Sequence, residues 1–492
     1  MPLKVTDTNH LPKRSSEAPK ERDQKLSTKE KASYGFGGFV DQIMANSFGQ
    51  LSFPIFNIAL GLDAKLLGIA LAVPRFVDAI TDPLMGHISD NTRSRWGRRK
   101  PYIAIGAILM ALMLVVVFSP PAGLDENGLF IYITIAGALM YVAYTIFSVP
   151  YQALGLELTD DYHERTSVQA WRMAMISAKA LIAPWLLKAC FLIGSYFPES
   201  DRPSEVIGVV YVAMALGLLI ILGSLPLLRF CRESTDHIAA VKVKALASLK
   251  ATLSNKVFRI HLLTIFLVMI GAFIHNPITL YINNYYVYEG DKNSAATMMG
   301  YSGSLGAICG FLAIPLIAWL SRRVGKKAAY AGGIITCGLL DPLAWFLFDP
   351  DMPYLQLFNV FITVVPITCC WVLNPSITAD ICDHDELQTG QRREGMYGAV
   401  WGFAFKAGIS GISILMGLMI AWTGFVADDA VQTPETIFKM RVLLAFVPAV
   451  FLVAGGCLFA WGYPLTQKRI EEIQKELKSR HHLTAQPNDQ ES

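Results

Sequence analysis

Long apolar runs separated by short polar linkers recur twelve times along this chain, at about 34–61, 66–90, 101–121, 129–158, 168–194, 206–230, 258–287, 295–321, 327–348, 354–381, 395–424 and 438–464. Each is about 20 residues or longer, enough for an α-helix to cross a hydrocarbon core. A longer polar stretch at 231–257, with Arg232, Glu233, Asp236, Lys242, Lys244 and Lys250, divides the runs six and six. Residues 1–33 are polar and Lys-rich, without the apolar core of a signal peptide. At the other end, 465–481 alternates its charges, as a helix lying in water would.

The predicted organisation follows. A disordered tail (1–33) precedes a six-helix bundle (34–230), a linker (231–257), a second six-helix bundle (258–465) and a second tail (466–492). The fold class is an all-α membrane protein of twelve transmembrane helices. An echo joins the halves: Pro83-Leu-Met-Gly-His-Ile-Ser-Asp with Gly97-Arg-Arg-Lys ends run two, and Pro315-Leu-Ile-Ala-Trp-Leu-Ser with Gly325-Lys-Lys ends run eight. Parallel six-helix repeats with a binding site between them describe the major facilitator fold.

Composition agrees with immersion in lipid. Of 492 residues, 53% are hydrophobic and 16% charged, where a soluble protein carries about 25% charged residues. The net charge of +3 is uninformative, but its distribution is not. Linkers after runs two, eight and ten are basic (Arg93, Arg95, Arg98, Arg99, Lys100; Arg322, Arg323, Lys326, Lys327; Arg392, Arg393), and the opposite linkers hold Asp125, Glu126, Glu199, Asp201, Asp349 and Asp351. Basic linkers beside apolar spans anchor the chain in the bilayer rather than bind nucleic acid. They place both termini in the cytoplasm and the protein in the cell (inner) membrane. The eight cysteines show no metal-ligand spacing and read as small apolar packers. No Ser/His/Asp constellation, HExxH or phosphate-cradling loop stands in a coherent context, which excludes an enzyme reading.

Charges within the spans carry the chemistry. Asp78 and Asp82 are one helical turn apart on one face, with Thr81 beside them. Carboxylates at bilayer depth mark ion or proton paths. Here they supply hard oxygen ligands for a small cation, or a pair whose like charges let one carry a proton. Asp90, Arg93 and Arg99 at the edge read as a salt-bridged latch gating the basic side. Tyr144, Ser148 and Gln152 form a stripe at i+4 steps, with Thr145 adjacent. Arg172 and Lys179 share a face, and either neutralise the aspartates or meet an anionic ligand. Lys188 reads as snorkelling to the edge. In the second half Lys406 needs a partner carboxylate or a polar cavity, and Trp371 offers an aromatic face for a sugar ring. His275, Asn276, Asn283 and Asn284 lie in run seven. Tyr281, Tyr285, Tyr286 and Tyr288 suit an interfacial belt.

Three stretches go further: Asp78-Ala-Ile-Thr-Asp-Pro-Leu-Met-Gly86, Arg95-Trp-Gly-Arg-Arg-Lys-Pro101, and the run from Asp380 to Gly395. Together they resemble the glycoside-pentoside-hexuronide:cation symporters, relatives of melibiose permease within the major facilitator superfamily, over roughly 34–465. The resemblance implies symport of a sugar driven by Na+ or H+, with no resident cofactor, and a monomer suffices for it. It assigns the cation site to Asp78, Thr81, Asp82 and Thr145, with Thr81 standing where the family has asparagine. Trp371, Lys406 and Arg172 match the family's functional positions. Two acids that grip the galactoside fall on Gln42 and Ser148, and a tryptophan falls on Gln152. Asp41, beside Gln42, replaces an acid only if the helix register shifts. The loss of those acids leaves Arg172 and Lys179 less neutralised, so an acidic, uronate-containing glycoside is the expected passenger. The alternatives are a lysolipid:sodium symporter, a wider relative with a similar aspartate motif, and a sugar transceptor signalling through 233–257.

Overall fold

The structure is a computed structural model that describes residues 25–159, 161–199, 201–233, 252–427, 429 and 431–485. Helices fall on all twelve apolar runs. The first bundle contains α1 (Thr28–Ser52) with a π-helical end (Phe53–Ala59), α2 (Ala64–Asn91), α3 (Lys100–Val117) and α4 (Glu126–Glu157). It continues with α5 (Tyr162–Ile182), which bends through a 3₁₀ turn at Ala183–Trp185 into α6 (Leu186–Gly194), and ends with α7 (Ser204–Phe230). The second bundle contains α8 (Lys256–Ile282) with its own π-helical end (Asn283–Val287), α9 (Lys292–Val324), α10 (Lys326–Leu340) and the short α11 (Ala344–Leu347). It closes with α12 (Gln356–Thr389), α13 (Glu394–Thr423), α14 (Pro434–Ala445) and α15 (Val447–Gly462), and α16 (Gln467–Ala485) follows it.

Among the described residues, ten helical segments are long and apolar enough to cross a membrane; α1 and α2 are not among them. The shortfall has a cause in the sequence. α1 carries Asp41, Gln42, Asn46 and Gln50, and α2 carries Arg75, Asp78 and Asp82 at its centre. The charges that lower the apolarity of α2 are the ones that build the candidate site.

One boundary and one terminal helix differ from expectation. α1 starts at Thr28, not 34, because Ser27 and Glu30 form a reciprocal capping box, with Glu30 N–H to Ser27 Oγ at 3.2 Å and Ser27 N–H to Glu30 Oε2 at 3.1 Å. Of the expected tail, residues 1–24 lie outside the described residues, as do 234–251 of the linker and 486–492. The charge-alternating segment is helical, as expected, but α16 is docked rather than free. Its Ile473 and Leu477 are buried, and Arg480 donates to the Leu387 carbonyl of α12 at 3.1 Å. The alternating charges line only its wet side.

The two halves are joined unevenly. On the face bearing the acidic linkers, the helices of opposite bundles touch closely. A Cβ at Gly417 of α13 would lie 2.2 Å from the Ala64 carbonyl oxygen of α2, and one at Gly68 would lie 2.6 Å from the Ser413 carbonyl oxygen. Trp185 Nε1 donates to Ser304 Oγ at 2.8 Å, Lys188 to Asn293 at 2.7 Å, and Tyr281 to Asn57 at 2.5 Å. Tyr281 and Tyr285 are buried in this seam rather than forming the expected belt, because each ring packs against Phe425. Lys188 finds an amide of the other bundle, not only the interface.

Toward the basic face the polar contacts among the described residues stay within each bundle. Arg98 and Arg99 of the first basic turn meet Glu157 of α4, each at 2.5 Å. Lys326 of the second meets Asp380 of α12 at 2.8 Å. The echoed glycines share a backbone conformation, with φ of 99° at Gly97 and 83° at Gly325, which only glycine adopts readily. Glu233, just past the last helix of its bundle, accepts the Arg99 N–H beside Gly97, and Gln467 sits at the equivalent place beside Gly325. The bundles are therefore sealed at one end and parted at the other.

Candidate functional site

At mid-depth α2 of the first bundle faces α13 of the second. Asp78 is fully buried and Asp82 half-buried. Thr145 of α4 reaches both, with Oγ1 at 2.9 Å from Asp78 Oδ1 and 3.3 Å from Asp82 Oδ1. Thr81 Oγ1 lies 3.1 Å from Thr145 Oγ1 and donates to the Val77 carbonyl at 3.0 Å. The i+4 spacing and the rotation of α2 against α4 thus bring four side-chain oxygens together. Two carboxylate and two hydroxyl oxygens are hard ligands of the kind that suit a small cation, and two carboxylates can equally share a proton.

On the far side of the carboxylates sits Lys406. Its ammonium hydrogen-bonds Asp82 Oδ2 and lies 2.7 Å from Asp78 Oδ2, an ion pair without aligned hydrogen-bond geometry. The lysine has the partner carboxylates it requires, and they belong to the opposite bundle. Two carboxylates against one ammonium leave the cluster formally one negative charge in excess. Such a site has room, electrostatically, for one further cation or proton.

Arg172 and Lys179 do not join this cluster. The Arg172 guanidinium lies 5.8 Å from the Tyr151 ring centroid, its stem packs against Gly38, and its Nε is buried without a partner. Of the expected counter-charges, Lys406 alone among the described residues forms an ion pair with the aspartates. α5 is held against α1 instead, where Gly35 allows the backbones to touch at Trp171. Lys179 makes no hydrogen bond or ion pair with any described residue and is half-buried. An unpaired cation at this depth is costly and marks a path or a ligand.

The expectation that Asp41 replaces an acid only after a register shift is corrected. Asp41 is fully buried and accepts from Ser148 Oγ at 2.6 Å and from Gln42 Nε2 at 2.9 Å. Gln152 in turn donates to Ser148 at 2.9 Å. No register shift is needed: close packing of Gly35, Gly37 and Gly38 against α5 and Tyr151 sets the rotation of α1 so that Asp41 faces α4. A carboxylate thus stands between the two positions whose acids are missing. Tyr144, the next member of the stripe, is buried edge-on to Tyr141, their centroids 6.0 Å apart.

Trp371 is half-buried, with its ring 5.9 Å from Phe405 in a T-shape, and Phe405 stacks on Trp401 at 5.2 Å. The latch at the basic edge forms in part. Arg99 pairs with Asp90 at 3.0 Å, but Arg93 is exposed and has no ion pair among the described residues. Its expected place is taken by Arg98, Glu157 and Glu233. Sequence reasoning also missed Arg75, which lies over the Tyr141 ring at 4.7 Å and shares the aspartates' face. Its spacing of three from Asp78 was the available signal.

Comparison with known proteins places the chain in a family and a fold. Residues 33–467 match the family model described as MFS/sugar transport protein. A putative glycoside/cation symporter of Escherichia coli is 28% identical over 469 residues, spanning 92% of this chain and 95% of that protein. A glucuronide carrier protein homologue of the same bacterium is 24% identical, spanning 94% and 98%. Among solved structures, a bacterial homologue of the human lysosomal transporter Spinster superposes with a TM-score of 0.64 at 14% identity, over 88% of this chain and 95% of that one.

Proposed function

The chain belongs to the MFS/sugar transport protein family, a family of multi-pass membrane transporters, and from that footing we propose that it is a cation-coupled symporter of an acidic glycoside. Asp78, Thr81, Asp82 and Thr145 hold the coupling ion, Na+ or H+. The observation that carries this reading is the ion pair between Lys406 of one bundle and the aspartates of the other. Lysine and coupling ion compete for the same oxygens. When the ion binds, the tether between bundles loosens; when it leaves, Lys406 returns and the empty carrier resets. Ion and passenger then strengthen each other's binding by about 1–3 kcal/mol, as linkage requires.

The passenger site lies between the bundles, with Asp41, Gln42, Tyr144, Ser148, Gln152, Arg172 and Lys179 on one side and Trp371 on the other. Arg172, which sits over the Tyr151 ring with its Nε unsatisfied, and Lys179, which has no ion pair among the described residues, support a carboxylate on the sugar, and the glucuronide carrier homologue among the relatives is in keeping with it. Asp41 is left for the neutral hydroxyls. With the basic linkers in the cytoplasm, both termini are cytoplasmic, the parted end of the bundles faces inward, and Asp90, Arg99 and Glu157 belong to the inner gate.

The test is uptake of radiolabelled glucuronide into vesicles, with and without an imposed Na+ or H+ gradient. Asp82→Asn should abolish accumulation against a gradient while leaving exchange across the membrane. Undiminished concentrative uptake in that variant would remove the coupling assignment.

A further inference from the structure

The second bundle buries a carboxylate that the reading above does not use. Asp341 caps the acidic-face end of α10 and opens the 3₁₀ turn Asp341–Leu343. It is 1% exposed, its Oδ1 accepts no hydrogen bond, and it has no ion pair among the described residues. α14 packs against the same turn, but its Arg441 is committed to Trp345. The guanidinium lies 4.1 Å from the Trp345 ring centroid and donates to the Trp345 carbonyl at 2.6 Å. An ionisable side chain at this depth, left without a counter-charge, calls for a ligand.

Register brings two buried amides to it. The consecutive spans α10 and α12 run antiparallel, and Cys337 Sγ donates to the Thr363 carbonyl at 3.8 Å. One turn nearer the acidic face, four residues along each helix, stand Asp341 on α10 and Asn359 on α12. Gln356 begins α12 just beyond, and the 3₁₀ turn packs on that helix. Asn359 Nδ2 donates to His275 Nε2 of α8 at 3.1 Å, and Gln356 Nε2 to the Pro353 carbonyl at 2.9 Å. Each amide thus engages its nitrogen elsewhere. Asn359 Oδ1 and Gln356 Oε1 are buried and accept nothing, in residues 3% and 2% exposed.

Three buried acceptor oxygens with no donor among them oppose the structure that holds them, unless a cation joins them. Carboxylate and carboxamide oxygens are the hard ligands that small hard cations take. A single carboxylate balances a monovalent ion and would leave a divalent one uncompensated. A proton on Asp341 would serve one acceptor and leave another orphaned; a metal ion serves all three. The linker joining α11 to α12 carries Asp349 and Asp351, so the approach from the acidic face attracts cations.

We propose that Asp341, Asn359 and Gln356 form a second cation site, for a monovalent ion such as Na+, within the second bundle and separate from the Asp78 and Asp82 cluster. It ties α10 to α12 and stands whether the coupling ion is Na+ or H+.

The test is equilibrium binding of radioactive Na+ to the purified full-length protein, with choline holding the ionic strength constant. Asp82→Asn should keep one bound Na+, and adding Asp341→Asn, an isosteric change, should abolish it. Asp341→Asn alone should remove the same equivalent from the otherwise native chain. Gln356→Met, in the Asp82→Asn background, should weaken the remaining binding by about tenfold or more, since even indirect partners of a bound ion are worth that much. Na+ binding that Asp341→Asn leaves unchanged overturns the second site. Binding lost entirely with Asp82→Asn also overturns it, and leaves the coupling assignment standing. Binding lost with Asp341→Asn but untouched by Asp82→Asn supports the second site and assigns no Na+ to the first.

Discussion

The first bundle sends Asp41, Arg75, Asp78, Asp82, Arg172 and Lys179 into the interior from α1, α2 and α5; the second sends Lys406 across the midplane. Elsewhere the halves match, down to positive-φ glycines at the two basic turns and π-helical ends on their first spans. The two halves share a scaffold, while the buried carboxylate pair stands in only one of them. The second bundle's part is to answer that chemistry with a single charge. Under the proposed cation site, coupling between ion and movement would need no long pathway, because the proposed ligands are also the residues paired with Lys406 of the other bundle.

Making the halves alike in charge should break the comparison most severely. Lys406→Glu puts a third carboxylate against Asp78 and Asp82. Disrupting a buried pair costs about 3–5 kcal/mol, and the lysine's 25% side-chain exposure argues for the lower end. The expected outcome is a large fall in thermal midpoint and in monodisperse yield, recovered in part by adding Asp82→Lys. Next are the first bundle's cations that stand away from the Asp78 and Asp82 pair. Arg172→Gln should weaken a uronide by about tenfold or more, the worth of a charged hydrogen bond, and leave the matching neutral glycoside nearly unchanged in competition assays. Equal losses for both sugars would assign Arg172 to packing against Gly38 and Tyr151.

The seam comes third. Gly417→Leu meets the Ala64 carbonyl, and overpacking there costs about 1–3 kcal/mol. It should favour the state open on the acidic face, seen as faster labelling of a cysteine placed beneath the seam. The smallest effect sharpens the account of Asp41. Ser148→Ala removes one of its two donors, and intramembrane hydrogen bonds average about 0.6 kcal/mol, so affinity should change by less than about threefold.

Much of this was legible before any coordinates. Hydropathy placed the spans because lipid leaves helices no alternative, and the Asp78, Thr81, Asp82, Thr145 and Lys406 cluster followed from intramembrane charge, i+4 spacing and family likeness. What failed to show was rotation and partner choice. Asp41 and Gln42 are neighbours in sequence, and only the packing of Gly35, Gly37 and Gly38 decides which of them meets Ser148. Arg172 looked available to the aspartates until Tyr151 claimed it. The tyrosines of α8 read as an interfacial belt because composition cannot distinguish a surface facing lipid from one facing the other bundle.

The central claim is that Lys406 and the coupling cation compete for the carboxylates of Asp78 and Asp82. Cation affinity of purified Lys406→Gln tests it most directly, read as the shift of thermal midpoint during NaCl titration at constant ionic strength and, for protons, as dye-detected uptake in weakly buffered solution. With the competitor removed, affinity should rise above wild type while cation-driven accumulation is lost. Unchanged or weaker affinity in Lys406→Gln would contradict the account.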